Sequence, residues 1–191
     1  MRAQLIRHGK TAGNLAGRYV GRSDVPLCPE GRAEALCARR DETVKTVYVS
    51  PLLRARETAA ILFPNAEQIA VDDLREMDFG DFEGRTAAEM EHDPAYRAWV
   101  DDLCTGACPN GESQAGFRAR VTAAFLRTLN TAQGDPVFVA HGGVIMAIMA
   151  ELARPSRGFY EWYAPNLGGY AFDVERTDGG AILTNAEPVQ Y

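Results

Sequence analysis

The chain has 191 residues, 46% hydrophobic and 24% charged, an ordinary composition for a soluble globular protein and enough length for one sizeable core. Its formal net charge of −6 argues against nonspecific nucleic-acid binding by the surface as a whole. The four cysteines, Cys28, Cys37, Cys104 and Cys108, include no Cys-x-x-Cys pair and no nearby histidine to complete a zinc site, so free thiols in a reducing compartment are expected.

The N-terminus enters a strand, Ala3–Arg7, almost at once, with no secretion signal, and a cytoplasmic location is expected. Pro29–Arg40 reads as a helix that opens on proline and gathers Ala33, Leu36 and Cys37 on one face. Thr46–Ser50 is a β-branched strand stopped by Pro51, and Arg54–Phe63 returns as a helix. Thr86 to Glu89 is a capping-box pattern, and Asp93-Pro94 caps a helix that carries Tyr96 and Trp99. Ser113–Asn130 is the longest helix, with Phe117, Val121, Phe125 and Leu129 spaced four apart. Val137–Ala140 is a central strand and Gly143–Leu152 a buried helix; this apolar stretch is broken by His141-Gly142-Gly143 and is too short to span a bilayer. Gly169–Val174 and Ala181–Asn185 are terminal strands around a turn at Asp178-Gly179-Gly180.

Strands separated by helices imply an α/β fold, a three-layer αβα sandwich around a mostly parallel sheet. One domain over residues 1–191 is expected, with 72–111 as a less regular excursion over the strand ends. Nothing in the sequence sets an oligomeric state.

His8 and His141 each close an apolar strand and each precede glycine. In an open α/β sheet the crevice beyond the carboxyl ends of the strands is where ligands bind. Gly9-Lys10-Thr11 resembles the end of a P-loop, but that motif needs glycine at residue 4, which is glutamine inside a strand. The better reading makes His8 a nucleophile. A neutral imidazole can attack phosphorus and split hydrolysis into two easier steps. Cations must then surround the transferring oxygens. Arg7 helps if the strand ends there, and Ser50 to Thr58 offers Arg54 and Arg56, whose guanidinium groups can grip phosphate by two hydrogen bonds. The leaving oxygen also needs an acid, and the stretch Leu74–Gly84 offers Glu76, Asp78, Asp81 and Glu83, among which spacing does not choose. Taken singly, Arg54 reads as a surface charge, Glu76 as a solvated acid and His141 as a core histidine.

Together, Arg7-His8-Gly9, Asn14, Ser50-Pro51-Leu52 with Arg54-Ala55 and Glu57-Thr58, Glu76 before Phe79-Gly80, and Ala140-His141-Gly142-Gly143 resemble the histidine phosphatase superfamily, over residues 2 to about 152. The resemblance implies that His8 is phosphorylated, that Arg7, Arg54 and His141 hold the phosphoryl group with help from Asn14 and Gly142, and that Glu76 is first acid and then base. It implies no metal and no cofactor. Gly21 to Leu27 resembles the substrate-side loop, which makes Gly21 and Ser23 candidate binding residues. Lys10 and Cys28 depart from the pattern, standing where relatives usually carry Glu or Gln and Thr, respectively. The segments Glu76–Gly84, Ala95–Trp99 and Pro109–Ser113 are similar to the α-ribazole phosphatase branch, with Phe82, Tyr96 and Trp99 as a candidate stacking surface or as core. The expected partner is a small phosphorylated metabolite, with no nucleic acid and no membrane. The alternatives are a phosphoglycerate-type mutase, which the lack of a long lid-like insertion disfavours, and a non-catalytic phospho-ligand module, which the intact site residues disfavour.

Overall fold

The computed structural model describes residues 1–191. Six strands, β1 (Arg2–Arg7), β2 (Thr46–Val49), β3 (Glu67–Ala70), β4 (Val137–Ala140), β5 (Gly168–Thr177) and β6 (Gly180–Gln190), form one sheet in the order β3-β2-β4-β1-β5-β6. The β3/β2, β2/β4 and β4/β1 pairs are parallel, and β5 joins β1 and β6 antiparallel. The helices are α1 (Ala12–Leu15), α2 (Pro29–Cys37), α3 (Leu53–Leu62), α4 (Pro94–Asp101), α5 (Gln114–Thr131) and α6 (Gly142–Leu152).

Side chains alternate across the sheet with a period of two, and this alternation divides the core. Leu5, Phe138 and Phe172 face one layer, where they pack with Phe117, Val121, Phe125, Ile145 and Ile148 of α5 and α6. Their strand neighbours Ile6, Val137 and Val139 face the opposite layer, with Ala55, Ala59 and Leu62 of α3. Covering both faces gives the three-layer sandwich expected of such a strand pattern. The four-apart stripe on α5 is wholly buried, as its spacing predicts.

Several local expectations need correction. Helix α2 does not bury Ala33, Leu36 or Cys37; it buries Gly31 and Ala35 instead. The helix lies against the chain at Lys10, and a Cβ on Gly31 would stand 2.1 Å from the Lys10 carbonyl oxygen, so only the smallest residues fit on that face. It also ends three residues before Arg40. Strand β3 and the short α1 escape the sequence pattern altogether. The capping box at Thr86 forms, with Glu89 N–H donating to Thr86 Oγ1 and Thr86 N–H to Glu89 Oε2, but it opens only the 3-10 turn Ala88–Met90. No helix is long and apolar enough to cross a membrane.

Candidate active site

Strand register builds the site. In the parallel β1/β4 pair, Arg7 stands beside Ala140, so the next residues, His8 and His141, leave the sheet at one level. The ladder continues one step further, His8 N–H donating to Ala140 O at 3.0 Å. On the other side of β4, Ser50 N–H donates to Val139 O at 3.0 Å. Three strands thus deliver His8, Ser50 and His141 to one edge, and the two imidazole centroids lie 5.1 Å apart.

Each ring has its tautomer set by one neighbour. His8 Nδ1 lies 2.6 Å from Gly9 O, an acceptor only, so Nδ1 carries the proton and Nε2 keeps its lone pair. Arg54 Nε–H points at that lone pair from 3.2 Å. Ser50 Oγ accepts from Leu52 N–H and has its own proton free for His141 Nε2 at 2.7 Å. The His141 proton is then on Nδ1, which is buried and has no partner in the protein. One histidine presents a lone pair and the other an unused donor. Burial holds both well below the ordinary imidazole range, and the Arg54 charge adds to the effect.

Arg54, fully buried, is fixed from behind by Gly21 O and Ser23 O, each 2.7 Å from a terminal guanidinium nitrogen. The two-bond phosphate grip anticipated for it is therefore partly committed: three of its five N–H groups already have acceptors. Gly21 and Ser23 do not line the cavity. Glu83 accepts from both Gly21 N–H and Ser23 Oγ, and their carbonyls hold Arg54, so their polar groups serve the guanidinium. Lys10 is likewise turned away, paired with Glu34 at 2.6 Å. Arg7 ends β1 and lines the cavity; Nη1 donates to Ala164 O at 2.8 Å, while Nε is buried without a partner.

Glu76 stands opposite, 8% exposed, with Oε1 accepting from Met77 N–H and Oε2 from Gly143 N–H. Burial raises its carboxyl above the ordinary range, opposed by those two N–H groups and by Arg54 and Arg7. Asn14 Oδ1 accepts from Thr11 N–H and Oγ1, which leaves its amide nitrogen for the cavity it lines. Gly142, the first residue of α6, lines the same wall, and a Cβ there would come within 3.3 Å of Arg7 Nε. The site thus gathers Arg7, His8, Asn14, Arg54, Glu76, His141 and Gly142.

The cavity beside these groups has a volume of about 310 Å³ and aromatic walls, including Tyr19, Phe79, Trp99, Phe117, Phe159 and Tyr160. Of the aromatic residues singled out for stacking, only Trp99 reaches it; Phe82 and Tyr96 are core residues packed on Trp99. Sequence reasoning missed Ser50 as the partner of His141. It also missed Asn166, whose Nδ2 donates to His8 O at 2.8 Å from far along the chain. A serine just past a β-branched strand was a usable signal for the first, whereas nothing local marks the second.

Known proteins resemble this chain over most of its length. Residues 4–185 match the model of the histidine phosphatase superfamily, branch 1. The chain belongs to the histidine phosphatase superfamily. It is 34% identical over 161 residues to the adenosylcobalamin/alpha-ribazole phosphatase of Salmonella typhimurium, covering 80% of this chain and 79% of that one. To the protein of the same description from Escherichia coli it is 33% identical over 200 residues, covering 99% and 98%. The crystal structure of the alpha-ribazole phosphatase from Shigella flexneri superposes with a TM-score of 0.80 at 28% identity, over 96% of this chain and 94% of that one. Membership and these relatives make the chain a phosphatase.

Proposed function

We propose that the chain hydrolyses phosphomonoesters through a phosphohistidine on His8, without a metal ion, and that α-ribazole 5′-phosphate is its substrate. The observation that carries the reaction is the His8 ring. Its Nε2 lone pair is fixed by the Nδ1 contact to Gly9 O, and its neutral form is held by burial and by Arg54. Nε2 attacks phosphorus and the ester P–O bond breaks. Glu76, whose carboxyl burial shifts toward the acid form, gives its proton to the leaving oxygen. Arg7, Arg54, His141 Nδ1–H, Asn14 and the Gly142 N–H stabilise the phosphoryl oxygens. Water then attacks the phosphohistidine while the Glu76 carboxylate takes its proton, releasing phosphate and restoring both groups. Two guanidinium groups beside the two histidines repel a metal cation and favour an anion.

The substrate assignment rests on the relatives' activity and on the aromatic cavity walls, which suit a flat heteroaromatic leaving group. The chain acts as one domain, with residues 72–111 walling the cavity, and the unpaired thiols fit a cytoplasmic setting. A screen of phosphorylated metabolites in EDTA tests the reading. Phosphate release should be fastest from α-ribazole 5′-phosphate. Preferential phosphoryl movement within 3-phosphoglycerate, or activity only after metal is restored, contradicts it.

A further inference from the structure

We propose that the ion pair Arg120–Glu112 is a positioning device that holds Glu76 against the phosphoryl site. Neither residue touches the cavity chemistry, and neither has a role in the reaction described above. Arg120 lies on α5 and uses all five of its N–H donors. Nε and Nη2 meet the two oxygens of Glu112 at 2.8 and 2.7 Å. Nη1 donates to Asp73 O at 2.8 Å and to Arg75 O at 3.1 Å, and Nη2 also reaches Glu76 O at 3.4 Å. Glu112 completes the clamp from the other side. Its Oε2 accepts from Asp78 N–H at 3.0 Å, and its own N–H donates to Asp78 O at 2.9 Å. The backbone before Glu76, at Glu76 and two residues beyond it is thus tied to one guanidinium–carboxylate pair.

The effect reaches the reacting proton because the Glu76 carboxyl is held at its far end by Gly143 N–H of α6. Helix α5 packs on α6, so one helix fixes the Glu76 backbone and its neighbour fixes the carboxyl. With side chains 23% and 27% exposed the pair is mostly buried, so it supports the fold as well as the position of Glu76, and the two roles are told apart by the choice of ester below. A planar fork that satisfies three carbonyls and a carboxylate at once is a geometric device, and lysine, a point donor, cannot replace it. The turn Pro109–Ser113 presents Glu112 to Asp78 and Arg120, and a Cβ on its Gly111 would lie 2.4 Å from Asp78 O.

The inference rests on Glu76 as the acid. The test is Arg120→Lys, with Glu112→Gln as a milder second variant, in the full chain. kcat/KM is measured on an alkyl phosphate and on p-nitrophenyl phosphate, with circular dichroism and thermal melting alongside. Misplacing the acid by about 1 Å should cost about 100-fold on the alkyl ester. The nitrophenyl ester should change by less than about 3-fold, because its leaving group needs no proton. Helical content should stay near that of the unaltered protein, and the kinetics are read below the melting transition of each variant, which is expected to lie lower for Arg120→Lys. Equal losses on both esters, or no loss on either, overturn the positioning role. Glu76→Gln run in parallel separates the two readings. If it shows the ester-dependent loss and Arg120→Lys does not, only the positioning role fails. If Glu76→Gln loses equally on both esters, the acid assignment itself fails.

Discussion

At the scale of residues, the site works by denying each group its alternatives. His8 has its Nδ1 proton taken by Gly9 O, and His141 has its Nε2 lone pair taken by Ser50. Glu76 has both oxygens engaged by N–H groups, yet burial outweighs them and raises its carboxyl above the ordinary range. Gly143 leaves that carboxyl no room to spare: a Cβ there would lie 2.3 Å from Glu76 Oε1. Gly143→Ala must push that carboxyl aside, and its kcat/KM on alkyl phosphates should fall by about 100-fold with little change in fold, as steady-state kinetics on purified protein will show. His8, Arg7, Arg54, Glu76 and His141 were legible from the sequence as motif residues. What they lean on was not. Gly21 and Ser23 look like binding residues because they sit in a glycine-rich loop near the nucleophile, but their carbonyls face Arg54, more than 30 positions away in sequence. Contacts of that separation have no local signature.

At the scale of elements, periodicity was informative where burial is one-sided and long. Helix α5 shows its face over four turns, and its ring Phe125 packs 4.9 Å from Phe138 at the sheet. Phe125→Ala should cost about 3–5 kcal/mol, read as a lower denaturant midpoint, because the buried rings around it cannot collapse into the space. Short or edge elements left no such trace. Strand β3 pairs only with β2, and three of its four residues are exposed, so neither alternation nor an apolar run marks it. Helix α1 buries nothing and exists through its cap, Thr11 with Asn14. Helix α2 misleads by composition, since its larger apolar residues face solvent and its small ones face the chain at Lys10.

At the scale of the molecule, a sheet covered on both faces brings distant segments to one edge, and it keeps two imidazoles buried and neutral. That burial has a pH signature. An unfolded chain takes up a proton at His8 as pH falls through its ordinary value of 6.5, while the folded chain, with its pKa held well below, does not. Stability from this group is therefore fully present above pH 6.5 and declines as pH falls from there toward the folded value. Glu76, raised in the fold, acts in the opposite sense, so the His8 contribution is read as a difference. Between pH 6.5 and 5, His8→Asn should reduce the slope of unfolding free energy against pH by up to about 1.4 kcal/mol per unit, measured by urea titration. An unchanged slope would mean that His8 is not held neutral.

Trapping the phosphoryl group on His8 decides whether that imidazole bonds to phosphorus. The protein is mixed with a phosphomonoester, denatured in alkali within the first turnovers, and digested for mass spectrometry. A phosphoryl group on the peptide carrying His8, stable to alkali, lost in acid and absent from His8→Ala, is the expected result. A phosphoryl group on any other residue, or turnover by His8→Ala at the rate of the unaltered protein, would contradict it.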